Sequence, residues 1–568
     1  MLGLVFLGAM LVVLGGVGSL LLGGYPKLLA NSSFVVLGSL AISLSLGSIA
    51  GWIVGWTDVP WRRFWISLLI AWLATPLIVQ ISGWDSLWGR LSWWSAATSI
   101  NYTRWIDGYL AVILIHGLAN TPWVALTLLA GRSVISTDPE QFAATQVSAW
   151  TNFWRISVPT HLAIFLSAAL LVGLKVFEQF EVTDVYQVRT WAEVWYLGFS
   201  LGQYDSLSSL GTLEWFSQLA QMQEGPWPGQ NAVPILEAGQ GGATANGTPA
   251  QFQTQSTTDS GLAALFPLLM IIVGLILLAV SALRQWFPAR PSVDSVNQGQ
   301  IPLHRKLVPL TMLSVIVLLP QLINWLNLLI RSGLRIVQVD GTVQRQWSFS
   351  NVLNMLWFCA QDYYGAVCWS LIIGVLSATL VWGLAVPWSW LGRRSWWWTA
   401  TALLVSALSL AIPAPMVSLV WYRVLFLSDS TWLSYAATTS VIGPVMAIVM
   451  KNLGFGLVFW LILFRKQPLE LEDDMKMMGA SAWTRFSQLG LLANVPAHLG
   501  FLLVATILGA GDLAASFATL PAGIDTLPRR ILGDLHAGAG DQVAGICLLQ
   551  IAFVLSLSAV TIRIWPNK

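Results

Sequence analysis

The sequence predicts an all-α, polytopic membrane protein, and three features support this prediction. Of its 568 residues, 56% are hydrophobic and only 10% are charged, whereas soluble globular proteins carry about 25% charged residues. The 33 tryptophans suit a chain that meets membrane–water boundaries, where Trp is enriched. Long apolar runs recur along the chain, and such runs must satisfy their backbone hydrogen bonds as helices. The composition argues against a disordered chain, a nucleic-acid binder and a secreted disulfide scaffold.

Twelve apolar stretches have about the 20 residues that a helix needs to cross a bilayer. They are approximately Leu2–Leu22, Phe34–Trp56, Phe64–Trp84, Tyr109–Ala130, His161–Phe177, Gly261–Leu283, Leu307–Ile330, Gly365–Pro387, Trp396–Tyr422, Leu433–Phe464, His498–Phe517 and Ala544–Ile562. The stretch Leu433–Phe464 is too long for one straight crossing, and Gly443-Pro444 is where we expect a break or a tilt. Lys451 inside it must face protein, water or an interface.

Basic residues are enriched in cytoplasmic loops, and their distribution predicts a cytoplasmic N-terminus. In that orientation the inner loops contain Arg62, Arg63, Arg132, Arg155, Arg393, Arg394, Arg465, Lys466, Lys476 and Arg485. No basic residue precedes the first span, which we therefore interpret as a retained helix and not as a cleaved signal.

One long outer segment, 181–260, interrupts the pattern of short loops. It is rich in Gly, Gln, Thr and Pro from Glu224 to Thr257, and between Asp184 and Asp259 it has seven acidic residues against one base, Arg189. Both a solvated, partly disordered loop and a docking surface for an external partner fit this composition.

An internal repeat divides the chain into two tandem halves. Residues 148–153, Ser-Ala-Trp-Thr-Asn-Phe, return at 481–486 as Ser-Ala-Trp-Thr-Arg-Phe, an offset of 481 − 148 = 333. Val158-Pro159 returns as Val495-Pro496, an offset of 495 − 158 = 337. The predicted halves are 1–283 and 307–568, with six spans each and a cytoplasmic linker at 284–306. Both copies of the repeated segment then lie on the cytoplasmic side, within the loops 131–160 and 465–497.

The repeated segment itself predicts a short amphipathic helix under the membrane. Acidic residues open each copy and suit a helix N-terminus; a Trp and a Phe follow three residues apart, on one helix face. A structural elbow between two spans is one interpretation, and a docking element for a partner is the other. Two copies at symmetric positions favour docking to two equivalent partners.

The stretch from Asp473 to Phe486 resembles the EAA loop of ABC-importer permeases, whose coupling helix seats in a groove of the ATPase subunit. Asp473 stands at the Glu position, Gly479 at the Gly and Val495-Pro496 at the Leu-Pro. In the first copy Glu140 and Gln146 take the Glu and Gly positions. The resemblance implies coupling roles for Glu140, Gln146, Ser148, Trp150, Phe153, Asp473, Asp474, Gly479, Ala480, Ser481, Trp483 and Phe486.

The stretches Gly511–Ser516, Leu520–Ile531, Glu178–Asp184 and Arg189–Glu193 resemble the fused two-half permeases of ferric-iron importers. This resemblance implies a permease in a bacterial cytoplasmic membrane, an ABC ATPase dimer and an extracytoplasmic solute-binding protein as partners, and ferric iron as the cargo. The chain contains no Gly-Lys dipeptide and so lacks the phosphate-binding loop of P-loop ATPases. We therefore expect no cofactor in this chain, with ATP and Mg²⁺ held by the partner ATPase.

Charged residues at membrane depth are functional candidates by default, and Lys175, Glu178 and Asp512 lie in or at the ends of the equivalent fifth and eleventh spans. They are candidates for a translocation pathway or gate, although Lys175 and Glu178, three apart, could simply pair with each other. No metal ligand set is predicted. His161 and His498 begin equivalent spans, and the cysteines Cys359, Cys368 and Cys547 lie in or beside apolar runs without a C-x-x-C pair.

Three alternatives remain open. An ion-coupled secondary transporter also has two halves of six spans, but it offers no role for the paired cytoplasmic segments. An importer of the same class for thiamine, phosphonate, polyamine or sulfate fits the same features. A polytopic membrane enzyme would use an acidic pair in an outer loop, for which Asp85 and Asp107 are the candidates.

Overall fold

The computed structural model describes residues 26–57, 59–89, 92, 106–132, 155, 158–200, 307–339, 342–412, 414–426 and 430–564. Before residue 200 the helices are α1 (Pro26–Trp56), α2 (Arg62–Ala74), α3 (Leu77–Trp88), α4 (Gly108–Ala119), α5 (Thr121–Arg132), α6 (Val158–Glu178), α7 (Glu181–Val185) and α8 (Trp191–Ser200). The predicted spans Leu2–Leu22 and Gly261–Leu283 and the predicted linker lie outside the described residues.

After residue 307 the chain is again mostly helical, with one antiparallel hairpin, β1 (Leu334–Val339) and β2 (Thr342–Trp347), in which Leu334 pairs with Trp347. The helices are α9 (Leu307–Gly333), α10 (Phe349–Asp362), α11 (Tyr364–Gly392), α12 (Trp396–Ala411), α13 (Ala414–Phe426), α14 (Thr431–Thr439), α15 (Ile442–Arg465), α16 (Leu469–Met477), α17 (Ala482–Ala510), α18 (Leu527–His536) and α19 (Gly540–Ile564). Two of them are irregular: α9 is π-helical over Ser314–Leu318, and α17 is π-helical over Phe486–Leu491.

Within the described residues, six helices are long and apolar enough to cross a membrane. They are Ala30–Gly55, Gly108–Gly131, Leu307–Gly333, Tyr364–Gly392, Ile442–Arg465 and Ala482–Ala510. On α11 one face is exposed and apolar, including Ile372, Val375 and Leu380, as expected for a helix that contacts lipid. The chain is thus a multi-pass membrane protein. The predicted spans His161–Phe177 and Ala544–Ile562 are also helical, as α6 and within α19, but fall outside this set of six.

Three predicted spans are interrupted by a residue with an extended backbone, and in two of them the following proline explains the interruption. The predicted span Phe64–Trp84 consists of two helices, α2 and α3, whose axes are bent by 92°. The bend lies at Thr75, which has ψ 116° because a residue that precedes a proline, here Pro76, is disfavoured in the helical region. Trp396–Tyr422 breaks in the same way at Ile412, with ψ 121°, before Pro413. Leu433–Phe464 breaks at the extended Ser440, two residues before α15 begins.

Gly443-Pro444 therefore does not break the helix, which corrects that expectation. Both residues lie in the first turn of α15, where a proline is tolerated because the first backbone N–H groups have no helical acceptor.

Helix packing follows the sequence repeat. Helix α1 contacts α4, α5 and α6, and its equivalent α11 contacts α15 and α17. The pair α2–α5 likewise corresponds to α12–α15, and α3–α4 corresponds to α13–α15. At the α1–α5 contact a Cβ on Gly47 would come within 2.6 Å of the Thr121 carbonyl oxygen, so only glycine allows the two helices to approach this closely.

The parts of the chain before and after the linker are interlocked. Helices α9 and α19 pack against α3, and α6 contacts α12. One buried hydrophobic cluster runs through both parts and includes Val79, Ile115, Val172, Ile373, Leu457 and Ile531. The ring of Trp123 meets that of Phe455 edge-to-face, with 5.8 Å between centroids. Charged groups held at this junction are consequently positioned by helices of both parts.

Candidate functional site

The second copy of the repeated segment forms a folded projection, which we call the docking segment (residues 469–486). Helix α16 ends in a turn where Gly479 has φ +81°, a left-handed conformation that favours glycine. The Ala480 N–H donates to the Met475 carbonyl at 2.9 Å and closes the turn. Ser481 then caps α17 by accepting a hydrogen bond from the Thr484 N–H at 3.1 Å.

The tip of the docking segment is apolar and exposed. Met477, Met478 and Trp483 are 87%, 78% and 70% exposed, and the backbone of Gly479 lies between them. Asp473, Asp474 and Ser481 are also exposed, and Ala480 is half-buried. Large apolar side chains grouped on an exposed turn are typical of an interaction surface.

A buried acid anchors the docking segment to the membrane domain. Glu472 accepts a hydrogen bond from Arg394 Nε at 3.0 Å, and its carboxylate lies 3.6 Å from Arg393 Nη1 and 3.7 Å from Arg485 Nε. Asp473, the residue at the predicted Glu position, also pairs with Arg394. These hydrogen bonds, first that of Asp473 and then that of Glu472, raise the pKa of Arg394 although burial opposes them. Burial lowers the pKa of Arg393, a cost that the negative charge of Glu472 offsets.

Aromatic packing fixes the other end of the segment. The ring of Phe486 lies 5.6 Å from that of Trp390 on α11 and 5.6 Å from that of Trp483. These two ring contacts pack the tip of the segment against α11. The predicted coupling residues of the first copy, Glu140, Gln146, Ser148, Trp150 and Phe153, lie outside the described residues.

A second cluster of charges lies where α6 meets α15. Glu178 forms a buried ion pair with Lys451, which also donates to the carbonyls of Ser409 at 3.2 Å and Ile412 at 2.9 Å. Lys175 lies 3.9 Å from Glu178 and 5.0 Å from the ring centre of Trp123. The structure thus brings the predicted residues Lys175 and Glu178 together and adds Lys451 from the other part of the chain.

Asp512 joins this cluster through its charge and not through direct contact with a cation. Its carboxylate accepts a hydrogen bond from the Ala515 N–H at 2.8 Å and lies within electrostatic range of Glu178, Lys175 and Lys451. Glu181, buried at the start of α7, is a further acidic side chain near Asp512. Within the described residues, no three His, Cys, Asp or Glu side chains are placed to hold a metal ion together.

The histidine and cysteine side chains have structural surroundings. His498 accepts at Nδ1 from Trp382 Nε1 at 2.8 Å, so its Nε2 carries the proton and donates to the Gly490 carbonyl at 2.9 Å. It also stacks on Trp460. Cys359 and Cys547 are buried, and all three cysteines are free thiols.

On the predicted outer side, a cavity of about 580 Å³ lies between α8 and α18. Asp184 pairs with His536 across it at 3.4 Å, which joins the two parts of the chain a second time. Burial, and next the charge of Asp184, raise the pKa of Glu193 to about 7. Asp85 and Asp107, the candidates for an enzyme, stand on α3 and just before α4; Asp85 lies 3.4 Å from the Tyr186 hydroxyl.

Sequence reasoning missed two residues, Glu472 and Lys451. Glu472 lies one position before Asp473, the residue matched to the family pattern. It differs from the neighbouring acidic residues in lying on the buried face of α16. Lys451 stands out as a charge within a span, but its partner is 273 residues away and no pattern along the chain indicates it. Comparisons of this chain with family models, curated proteins and solved structures find no match.

Proposed function

We propose that this chain is the membrane-spanning permease of an ATP-driven importer. It crosses a bacterial cytoplasmic membrane about twelve times, in two tandem halves, and its cytoplasmic docking segments each engage one subunit of an ABC ATPase dimer. An extracytoplasmic solute-binding protein delivers the cargo. Ferric iron is the cargo that the sequence resemblance favours.

The construction of the docking segment carries this proposal. A membrane protein with no need of a cytoplasmic partner has no evident use for a tip with Met477, Met478 and Trp483 exposed to water. The tip is held by Glu472 and its three arginines at one end and by Phe486 at the other. Such a rigid projection can transmit the closing of an ATPase dimer to α11 and α17.

The Glu178–Lys451 ion pair is a second element of this proposal, and it lies within the membrane. Because Glu178 and Lys451 belong to different halves, rocking of one half against the other must stretch or break their ion pair. Two charges at low dielectric interact strongly, so the pair favours one arrangement of the halves, and ATP-driven motion at the docking segments supplies the work to leave it. Lys175, Glu178 and Asp512 then act as parts of a gate.

An ion-coupled secondary transporter is the second candidate, and the Glu178–Lys451 pair is the observation that favours it. A buried carboxylate between two halves is the kind of group that binds and releases a coupling proton. This candidate requires no ATPase, and it gives the exposed tip of the docking segment no task.

A reconstituted uptake assay tests the proposal. The chain is placed in proteoliposomes with its ATPase and binding protein, and ⁵⁵Fe uptake and ATP hydrolysis are measured together. We expect Trp483→Glu to lose uptake by at least about tenfold, because burying a new charge in the ATPase contact costs several kcal/mol. Trp432→Glu is the matched control, since Trp432 is 69% exposed but lies on the predicted outer side.

Two outcomes contradict the proposal. Uptake that needs a proton gradient and proceeds without ATP assigns the chain to the secondary transporters. Normal ATP-dependent uptake by the Trp483→Glu variant removes the docking role of residues 469–486.

A further inference from the structure

A cavity of about 860 Å³ lies beside the start of α2, and we call it the Arg62 cavity. Residues 61–65, Trp-Arg-Arg-Phe-Trp, form one wall. The opposite wall consists of Leu310, Ser314 and Leu318 of α9, of which the last two belong to its π-helical part. The cavity thus lies at a junction between the two parts of the chain, at the cytoplasmic boundary in the predicted orientation.

The polar groups of the Arg62 cavity are all suited to an anion. Two arginines line it, and no acidic residue of the described ranges does. Arg62 Nε and Trp65 Nε1 are buried and have no hydrogen-bond acceptor within the described part of the chain. Trp65 is 3% exposed, so water does not satisfy its indole N–H. A buried donor without an acceptor costs free energy.

The remaining surface of the Arg62 cavity is apolar and continues onto exposed apolar side chains. Trp61 and Phe64 are 75% and 48% exposed on one side, and Leu307 and Val315 are 77% and 59% exposed on α9. Trp61 has φ 56°, a left-handed backbone that is rare for a bulky residue. A ligand here meets positive charge at one end and hydrocarbon at the other.

The equivalent arginines of the second half have no such cavity. Arg393 and Arg394 are neutralised by Glu472 and Asp473. Within the described residues, Arg62 and Arg63 form no ion pair. The two pairs occupy equivalent places after α1 and α11, and Glu140, which is equivalent to Asp473, lies outside the described residues.

We propose that the Arg62 cavity binds an anionic phospholipid of the cytoplasmic leaflet. Arg62 and Arg63 hold the headgroup phosphate, since guanidinium groups match phosphate geometry. Leu310 and Leu318 line the path of an acyl chain. Basic pockets between membrane helices on the cytoplasmic side bind acidic headgroups, and this site does not depend on the proposed transport function.

Native mass spectrometry of the purified full chain tests this assignment. Phosphatidylglycerol and phosphatidylcholine with identical acyl chains are added in turn, and bound lipid is counted. We expect the wild-type chain to retain phosphatidylglycerol preferentially. Arg62→Gln/Arg63→Gln should weaken that binding by about 30-fold, because each basic residue near an anionic headgroup contributes about a factor of five. Arg62→Lys/Arg63→Lys should keep most of the affinity.

Two further variants separate the site from general effects. Ser314→Phe places an aromatic ring in the cavity, opposite the arginines, without a change of charge. It should also weaken binding of the lipid, which keeps the test decisive if the arginine variant does not fold. Arg529→Gln/Arg530→Gln is the matched control, because these adjacent arginines lie on α18 and pair with Asp525 and Asp362. It should bind phosphatidylglycerol as the wild type does.

Three results would overturn the assignment. The first is equal retention of the two phospholipids by the wild-type chain. The second is undiminished retention of phosphatidylglycerol by the Ser314→Phe variant. The third is full displacement of the lipid by an equal concentration of inorganic phosphate, which would assign the cavity to a soluble anion.

Discussion

Arg62-Arg63 and Arg393-Arg394 follow equivalent helices of the repeat, but their surroundings differ. The second pair is part of a network with Glu472 and Asp473 that fastens the docking segment to the membrane domain. The first pair lines a cavity with Leu310, Ser314 and Leu318 of α9. Buried nitrogens without a hydrogen-bond partner among the described residues occur in both pairs, at Arg62 and at Arg393. The helix packing is thus similar in the two halves, whereas the described surroundings of the two arginine pairs differ.

The largest expected effect concerns the ion pair that joins the halves. Glu178→Met leaves Lys451 buried beside Lys175 with no carboxylate in contact, and we expect the unfolding free energy to fall by about 3–5 kcal/mol. Lys451→Met should cost less, because Glu178 keeps Lys175 at 3.9 Å. The double variant should recover most of the loss. Thermal denaturation in one detergent measures all three, and additive losses in the double variant would refute a direct pairing.

The next effect tests the anchor that only the second half has. Glu472→Gln removes the charge shared by Arg393, Arg394 and Arg485, and a hydrogen bond to a charged group contributes about 2 kcal/mol. We expect the amides of residues 469–486 to exchange hydrogen about 30-fold faster. Asp473→Asn is the control and should have a small effect, because the Asp473 side chain is 53% exposed. Equal effects of the two substitutions would mean that Asp473, the residue matched to the family pattern, anchors the segment as strongly as Glu472 does.

The smallest expected effect comes from a substitution that gives the second copy of the repeated segment a residue of the first copy. Gln146 stands at the position of Gly479, since 479 − 146 = 333, and Gly479→Gln imposes the first copy's residue on a left-handed turn. A side chain at φ +81° costs about 1–2 kcal/mol, although nothing crowds the position. We expect exchange in the turn to accelerate about tenfold. Gly533→Gln, in the open interior of α18, should instead leave exchange unchanged or slow it, and an unchanged turn in Gly479→Gln would mean that Gln146 is compatible with the same geometry.

Sequence reasoning predicted the helices and the repeat because both follow from local properties. The length of the apolar runs predicts the helices α1, α9, α11 and α15. The repeated Ser-Ala-Trp-Thr motif predicts where the docking segment lies. The breaks at Thr75 and Ile412 were in principle visible as residues before proline. Single spans were nevertheless predicted there, because each apolar run is long enough to cross a bilayer as one helix.

The contents of the sites were less predictable, because they depend on three-dimensional proximity. Lys175 and Glu178 are neighbours on one helix and were paired correctly. The partnership of Glu178 with Lys451, the choice of Glu472 over Asp473 as the buried acid, and the cavity between residue 62 and α9 all depend on how distant helices pack.

Lys175 on α6 and Asp512, which follows α17, carry opposite charges, and this has a consequence for how the protein is encoded. Lys175 and Asp512 are equivalent, since 512 − 175 = 337, the same offset as the Val-Pro pairs that begin both helices. A transporter assembled from two identical subunits must place the same residue at both positions, lysine beside lysine or aspartate beside aspartate. A single tandem gene removes that symmetry requirement, so its two copies are free to acquire opposite charges that attract across the pseudo-twofold axis.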